Sequence, residues 1–350
     1  MKFKLFFFIV FILSIFLVFV SHDDFLYKKD IIKIIKIKTI EDSSSKNSLG
    51  LTEKYYQKEI TGIYTNGKNK GKKSTFLYEE TFSSVSTEQY KVGDKVIIYN
   101  GEIEGLKRDF IISILLSIFI LSIYLVGNWS GLLSIISVIS NIIIFYTGLF
   151  FYFNGVNLLF LCILESILFS MISLFLSNGF CKKTIAAVIS SSLCIIIIVI
   201  LLLIVIYFTN YSGVYFNELQ YLTVPPEDIL LPELIIGSVG AIMDVCISVT
   251  SLFSELINKN KKIKRDALKK SSKQLGKDIM STMSNVLFFT YLCSLLPIFV
   301  LAIRNGYSIS HFIKNNYSLE ITRFLVGSIG IVLGIPISTF ISLKVWEVKE

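Results

Sequence analysis

The sequence predicts an all-α polytopic membrane protein of about eight transmembrane helices, with a small extracytoplasmic β-rich domain after the first helix. Three observations carry that expectation: long apolar blocks free of charge, one polar stretch of alternating character behind the first block, and an uneven spread of Lys and Arg among the connecting segments. Of 350 residues, 53% are hydrophobic and only 17% charged, a bias beyond what a soluble core needs. A helix requires roughly 20 apolar residues to cross ~30 Å of hydrocarbon, and soluble helices rarely run that far without a polar face.

The first element, residues 1–21, opens with Lys2 and Lys4 and continues apolar from Leu5 to Val20. A basic start before an apolar run fits either a cleaved signal peptide or an uncleaved anchor. The bulky residues and the exit Val18-Phe19-Val20-Ser21, which lacks small residues at the cleavage positions, favour the anchor with its amino terminus inside.

Residues 22–109 change character. Lys, Glu, Ser, Thr and Tyr dominate, and Ile31-Ile32-Lys33-Ile34-Ile35-Lys36-Ile37-Lys38 alternates. Turn signals stand at Thr61-Gly62 and Asn66-Gly67, and Val92-Gly93-Asp94 precedes the strand Lys95–Tyr99. Period-two apolarity bounded by Gly, Asn and Asp reads as short strands, and under ninety residues of them as a small barrel or sandwich. Gly62 to Lys68 nearly spells a phosphate-binding loop, but Asn69 stands where the magnesium-binding hydroxyl belongs and no helical pattern follows. A hairpin turn is the better reading.

Residues 110–345 form a seven-helix transmembrane domain with blocks near 110–127, 132–152, 156–177, 184–207, 232–254, 279–303 and 321–343. Gly127–Gly131 reads as a tight link. The loop at Cys181-Lys182-Lys183 is basic, and the loop 258–277 holds nine Lys or Arg, whereas 208–231 has none and carries Glu218, Glu227 and Asp228. Positive-inside reasoning places the first two in the cytoplasm and the third outside. Eight spans with both termini cytoplasmic satisfy all three.

From the Gly93-Asp94 strand onward the chain resembles the YibE/F-like family of bacterial multi-pass membrane proteins. The most specific stretch is Gly237, Gly240-Ala241, Asp244-Val245, Ser248 and Ser251, followed beyond the basic loop by Gly276-Lys277-Asp278, Ser281-Thr282-Met283 and Asn285. Asn178-Gly179-Phe180 and Trp129 with Gly131-Leu132 also fit. Lys277 replaces an Arg of the family pattern, Ser281 a Gly, and Asn128 and Ser130 basic residues beside Trp129. The resemblance covers roughly residues 90–345 and implies fold and topology; the activity it suggests is transport.

Polar groups within apolar blocks are the candidates for chemistry, since an Asp at mid-helix costs about 2.5–3.5 kcal/mol on insertion scales. Asp244, Ser248, Ser251 and Glu255 share one helix face, as do Asp278, Thr282 and Asn285 on the next helix. Asp244 is expected to meet Thr282 or Asn285, giving a carboxylate flanked by oxygens that suits a proton or a hard cation. The alternative is plain hydrogen bonding between helices. Glu165, among Ser166, Ser170 and Ser173, and Asn141, among Ser134, Ser137 and Ser140, complete the set, and Asn141, Glu165, Asp244 and Asn285 can form one midplane cluster. Gly237, Gly240, Gly327, Gly330 and Gly334 allow close helix packing, while Gly334-Ile335-Pro336 can break the last helix and Pro297 kink the seventh. The basic stretch 258–277 has Ile263, Ala267, Ser271 and Leu275 at four-residue spacing, so it can lie on anionic lipid headgroups as an interfacial helix or remain a solvated loop.

Several classes are disfavoured. The formal charge of +8 is explained by cytoplasmic loops, and no segment is left to carry a nucleic-acid-binding fold. The five cysteines avoid residues 21–109, so neither disulfides nor metal pairs are expected. With His22 and His311 the only histidines, no zinc set, catalytic triad or cofactor motif can be assembled, and no enzyme is expected. The functional expectation is a solute or ion permease, proton- or sodium-coupled through Asp244, in contact with the lipid bilayer. Its alternative is an anchored scaffold that presents the β module to an envelope or export partner. No motif singles out the solute, the coupling ion or an oligomeric state.

Overall fold

The computed structural model describes residues 2–46, 52–82, 87–216 and 224–347, which leaves the expected outer acid Glu218 outside the described residues. The chain divides into two compact units, Met1–Val126 and Gly127–Glu350.

The first unit begins with α1 (Lys2–Ser21), whose apolar part is Leu5–Ser21, and a 3-10 turn at Asp23–Leu26. Five strands follow: β1 (Asp30–Lys46), β2 (Thr52–Tyr64), β3 (Lys73–Thr81), β4 (Lys95–Tyr99) and β5 (Glu102–Leu106). They form one antiparallel sheet in the order β3-β2-β1-β4-β5, in place of the expected barrel or sandwich. Its core is Ile32, Ile34, Ile60, Phe76, Tyr90, Val96 and Ile98. Two register shifts in β1, at Ile34/Lys36 and Thr39/Glu41, interrupt the alternation read from the sequence and bend the strand. The edges do not close into a ladder; instead Glu88 bridges them, its backbone N–H donating to Tyr78 Oη (2.8 Å) and its Oε2 accepting from Leu106 N (2.8 Å).

The stretch that mimics a phosphate loop is the β2–β3 hairpin turn. Asn66 Oδ1 accepts from Ile31 N (2.6 Å), while its Nδ2 donates to the carbonyls of Asp24 (2.9 Å) and Lys29 (2.9 Å). That turn therefore holds the entry segment of the module rather than a nucleotide.

Helix α2 (Asp109–Phe153) starts in the first unit and continues in the second. A straight helix of its 45 residues would be about 68 Å long, more than twice the hydrocarbon thickness. It is interrupted at Asn128, where φ is 50° and ψ −126°. Blocks 110–127 and 132–152 are thus helical to the edge of one residue, and the expected five-residue link shrinks to Asn128. At that ψ the residue lies outside the left-handed helical region that Asn reaches readily, in one that glycine favours, so the break carries backbone strain.

The second unit continues with α3 (Leu158–Asn178), α4 (Lys182–Thr209), α5 (Pro226–Lys259), α6 (Arg265–Arg304), the single turn α7 (Ile309–Phe312) and α8 (Ser318–Val345). Among the described residues, six helical segments are long and apolar enough to cross a membrane by length and composition: Asp109–Phe153, Leu158–Asn178, Lys182–Thr209, Pro226–Lys259, Arg265–Arg304 and Ile309–Val345. Helix α5 is central, packing against α3, α4 and α8 around Ile195, Ile198, Ile235, Ile242, Cys246 and Leu319. Gly330 sets the α4–α5–α8 spacing, because a Cβ there would sit 2.9 Å from both Ile198 Cδ1 and Ile242 Cγ1.

One further expectation changes, and one open alternative narrows. Helix α8 runs unbroken through Pro336. The basic stretch 258–277 is mostly helix, since α6 begins at Arg265. The reason is a buried stripe, Leu268, Ser272 and Gly276, one position on from the stripe read in the sequence. Leu268 packs with Val249, Phe253 and Leu343, and Ser272 Oγ lies 2.5 Å from Thr339 Oγ1 of α8.

Candidate functional site

Asp244 sits eighteen residues from the start of α5 and fifteen from its end, deeper than the ten residues its predicted block implied. Its neighbours at 242, 245 and 246 face the core, and the acid itself is exposed, on the side away from it. Thr282 and Asn285 on α6 are exposed as well, and Ser248 is half-buried. The hydroxyls are already committed locally. Ser248 Oγ donates to Asp244 O (2.7 Å), and Thr282 Oγ1 to Asp278 O and Ile279 O (3.1 Å each). Among the described residues no hydrogen bond joins Asp244 to Thr282 or Asn285.

The other two candidates lie on the seam of α2 and α3. Glu165 is 6% exposed and abuts Gly148 so closely that any Cβ there would overlap its carboxyl. Seven residues earlier on α2, half-buried Asn141 donates from Nδ2 to Ser173 Oγ (2.8 Å), which also accepts from Ser137 Oγ (3.0 Å). Asn141 Oδ1 is buried with no partner among the described residues. Asn141 and Glu165 thus lie on the seam of α2 and α3, whereas Asp244 on α5 and Thr282 and Asn285 on α6 are exposed, and among the described residues no hydrogen bond joins the members of the expected midplane cluster.

Two charged groupings went unread in the sequence. Between α5 and α8, Arg323 pairs with Glu233 and with Glu320, and Tyr291 of α6 donates to Gly237 O (3.1 Å) close by. The available signal was opposite charge just inside the same end of two spans. In the first unit, Lys107, with a side chain only 3% exposed, pairs with Asp23, Asp24 (2.6 Å) and Asp109 (3.3 Å) and lies over the Tyr27 ring at 5.1 Å. Lys95 Nζ adds bonds to Asp24 (2.7 Å) and to Ser21 O (3.0 Å), and Tyr27 Oη donates to Asp109 (2.9 Å).

Burial would push the Asp24 carboxyl up, yet hydrogen bonds from Lys107, Lys95 and Thr65 hold it below its ordinary value. Burial would lower Lys107, but bonds to Asp23 and Asp24 raise it. Burial, then the hydrogen bond to Asp109, push the Tyr27 phenol to about 12. Such mutual stabilisation marks a structural joint rather than a proton carrier.

The described residues hold no group of three metal-ligating side chains. Two family models match the chain: one described as YibE/F-like protein over residues 115–347, and one described as YibE/F family N-terminal domain over residues 25–110. No curated protein matches, and no solved structure does.

Proposed function

The chain belongs to the YibE/F-like family, and from that premise we propose that it is a multi-pass permease for a small solute or ion, gated by the charge state of Asp244. The observation that carries this reading is an exposed carboxylate at the middle of an apolar helix. Ionisable residues at that depth are costly unless water, an ion or another protein group meets them. Thr282 and Asn285 extend the polar face on α6. Occupation or protonation of Asp244 would bias two packings of α5 against its neighbours, with Glu165 as a second acid beside the narrow Gly148 contact.

Eight crossings follow if the two halves of α2 cross separately and α1, twenty residues long, crosses as well. The basic stretch beginning α6 and both termini then lie in the cytoplasm and the sheet lies outside. Flux of protons, cations and small metabolites into sealed proteoliposomes tests the proposal, wild type beside Asp244→Asn. A flux abolished by the substitution supports it; no flux for any solute from folded, correctly oriented protein sinks it.

One observation favours a scaffold instead. Strand β1 pairs with β4 only over Asp30–Lys33, so on that side Thr39–Lys46 meets no described strand. A free edge accepts a partner's strand. Loss of the cellular phenotype on deleting 30–100, with Asp244→Asn silent, would establish that reading.

A further inference from the structure

A cavity in the second unit, lined by none of the site residues considered so far, lies between the first half of α6 and the second half of α8. It has a volume of about 610 Å³. One wall is a ladder of cations at four-residue spacing, Arg265, Lys269, Lys273 and Lys277; the other is apolar, with Ile335, Pro336 and Phe340. No acid lines it. Among the described residues none of the three lysines pairs with a carboxylate, and all three are exposed. Lys344 lies 4.6 Å over the Phe340 ring, adding a fifth cation beside the apolar wall.

The shape follows from the packing. Gly276 brings the helices into contact, since a Cβ there would be 2.7 Å from Ile335 Cγ2, and the Ser272–Thr339 bond fixes the same approach. The lysines flank that seam rather than pointing to water on the far side of α6. The chemistry also changes with depth. The antiparallel helices set Arg265 and Leu343 at the polar end, whereas Met280 and Val332 lie further in, along the apolar parts of both helices.

We propose that this groove binds an anionic phospholipid of the surrounding bilayer, its phosphate on the lysine ladder and one acyl chain along the apolar wall of α8. A soluble anion has no use for the apolar wall, and a neutral lipid none for the ladder. From Arg265 to Lys277 the ladder spans about 18 Å at 1.5 Å per residue, so a headgroup bearing two phosphates fills more of it than one bearing a single phosphate. The proposal rests on these helices lying in a bilayer and not on permease activity.

The test is thermal unfolding of the full chain in neutral detergent, titrated with dioleoylphosphatidylglycerol, with phosphatidylcholine of the same chains, and with glycerol phosphate. Only the anionic lipid is expected to raise the midpoint. Lys269→Gln, Lys273→Gln and Lys277→Gln together are expected to weaken the half-saturating concentration by about a hundredfold. Lys261→Gln, Lys262→Gln and Lys264→Gln, outside the groove, are expected to leave it unchanged. All six positions are exposed, so the unliganded midpoint should hold in both variants. Equal loss in the two variants would mean a diffuse basic surface and overturn the proposal. So would stabilisation by glycerol phosphate, which would mean a simple anion site, or equal stabilisation by phosphatidylcholine.

Discussion

Lys107 shows how a single side chain organises its surroundings. Three carboxylates and a phenol ring converge on one buried ammonium, so removing it strands uncompensated negative charge. Lys107→Met is expected to destabilise the first unit by about 3 kcal/mol, measured by denaturant unfolding of the sheet; a loss under ~0.5 kcal/mol would mean that the cluster is solvated and idle. The pH dependence has a definite sign. A depressed carboxyl such as Asp24 contributes fully above its unfolded value of 3.8 and loses that contribution as pH falls through its lower folded value. The raised Lys107 contributes fully below 10.5 and loses that contribution only as pH climbs through its higher folded value. Stability of this unit should therefore plateau between those limits, with one tyrosine ionising only near 12 in a spectrophotometric titration. None of this was legible in the sequence, where Asp23, Asp24, Lys107 and Asp109 stand more than eighty positions apart in two groups. Glu165 was legible, because an acid inside an apolar block is conspicuous anywhere. Its partner was not, since glycine carries no chemical signal of what approaches it.

At the level of elements, every apolar block became helix, although α5 and α6 start six and fourteen residues before their blocks, and the link between blocks 110–127 and 132–152 came down to one residue. Asn128 absorbs in a single positive φ what its Gly and Ser neighbours advertised as a loop. Asn128→Gly is expected to relieve strain and hold or raise the unfolding midpoint, whereas Asn128→Val should cost about 1–3 kcal/mol, read as a lower unfolding midpoint. Equal effects would mean that the break is held by packing and not by backbone preference. The start of α6 teaches the complementary lesson. The four-residue spacing was legible there but one position out of phase, and in the buried stripe through Leu268, Ser272 and Gly276 only Leu268 looks apolar. Only the neighbouring α8 reveals why two of them need to be small. The sheet was legible in its strands, including β4, and at the Asn66-Gly67 turn, but the turn signal at Thr61-Gly62 falls inside β2, and bulges leave no signature at this length.

At the scale of the whole molecule, charge segregation is the property that links sequence to orientation. Cations gather on the short link from α5 to α6 and on the first turns of α6, while Glu227 and Asp228 cap the opposite end of α5. In a chain freed of its natural cysteines, Lys70→Cys in the β2–β3 turn is expected to react with an impermeant maleimide on intact cells. Lys262→Cys should react only after permeabilisation; the reverse pattern would invert the topology. Asp244 was legible as a candidate but its exposure was not, because helical phase alone does not say which face a crowded bundle covers. The joint at Lys107 carries a further consequence. Its carboxylates come from the turn that follows α1 and from the first residue of α2, while Lys95 reaches back to the last residue of α1. The sheet is thus clamped at both of its attachment points rather than dangling from either. A mechanical load applied to it would be delivered to two helices at once, as a lever passes torque through a locked pivot.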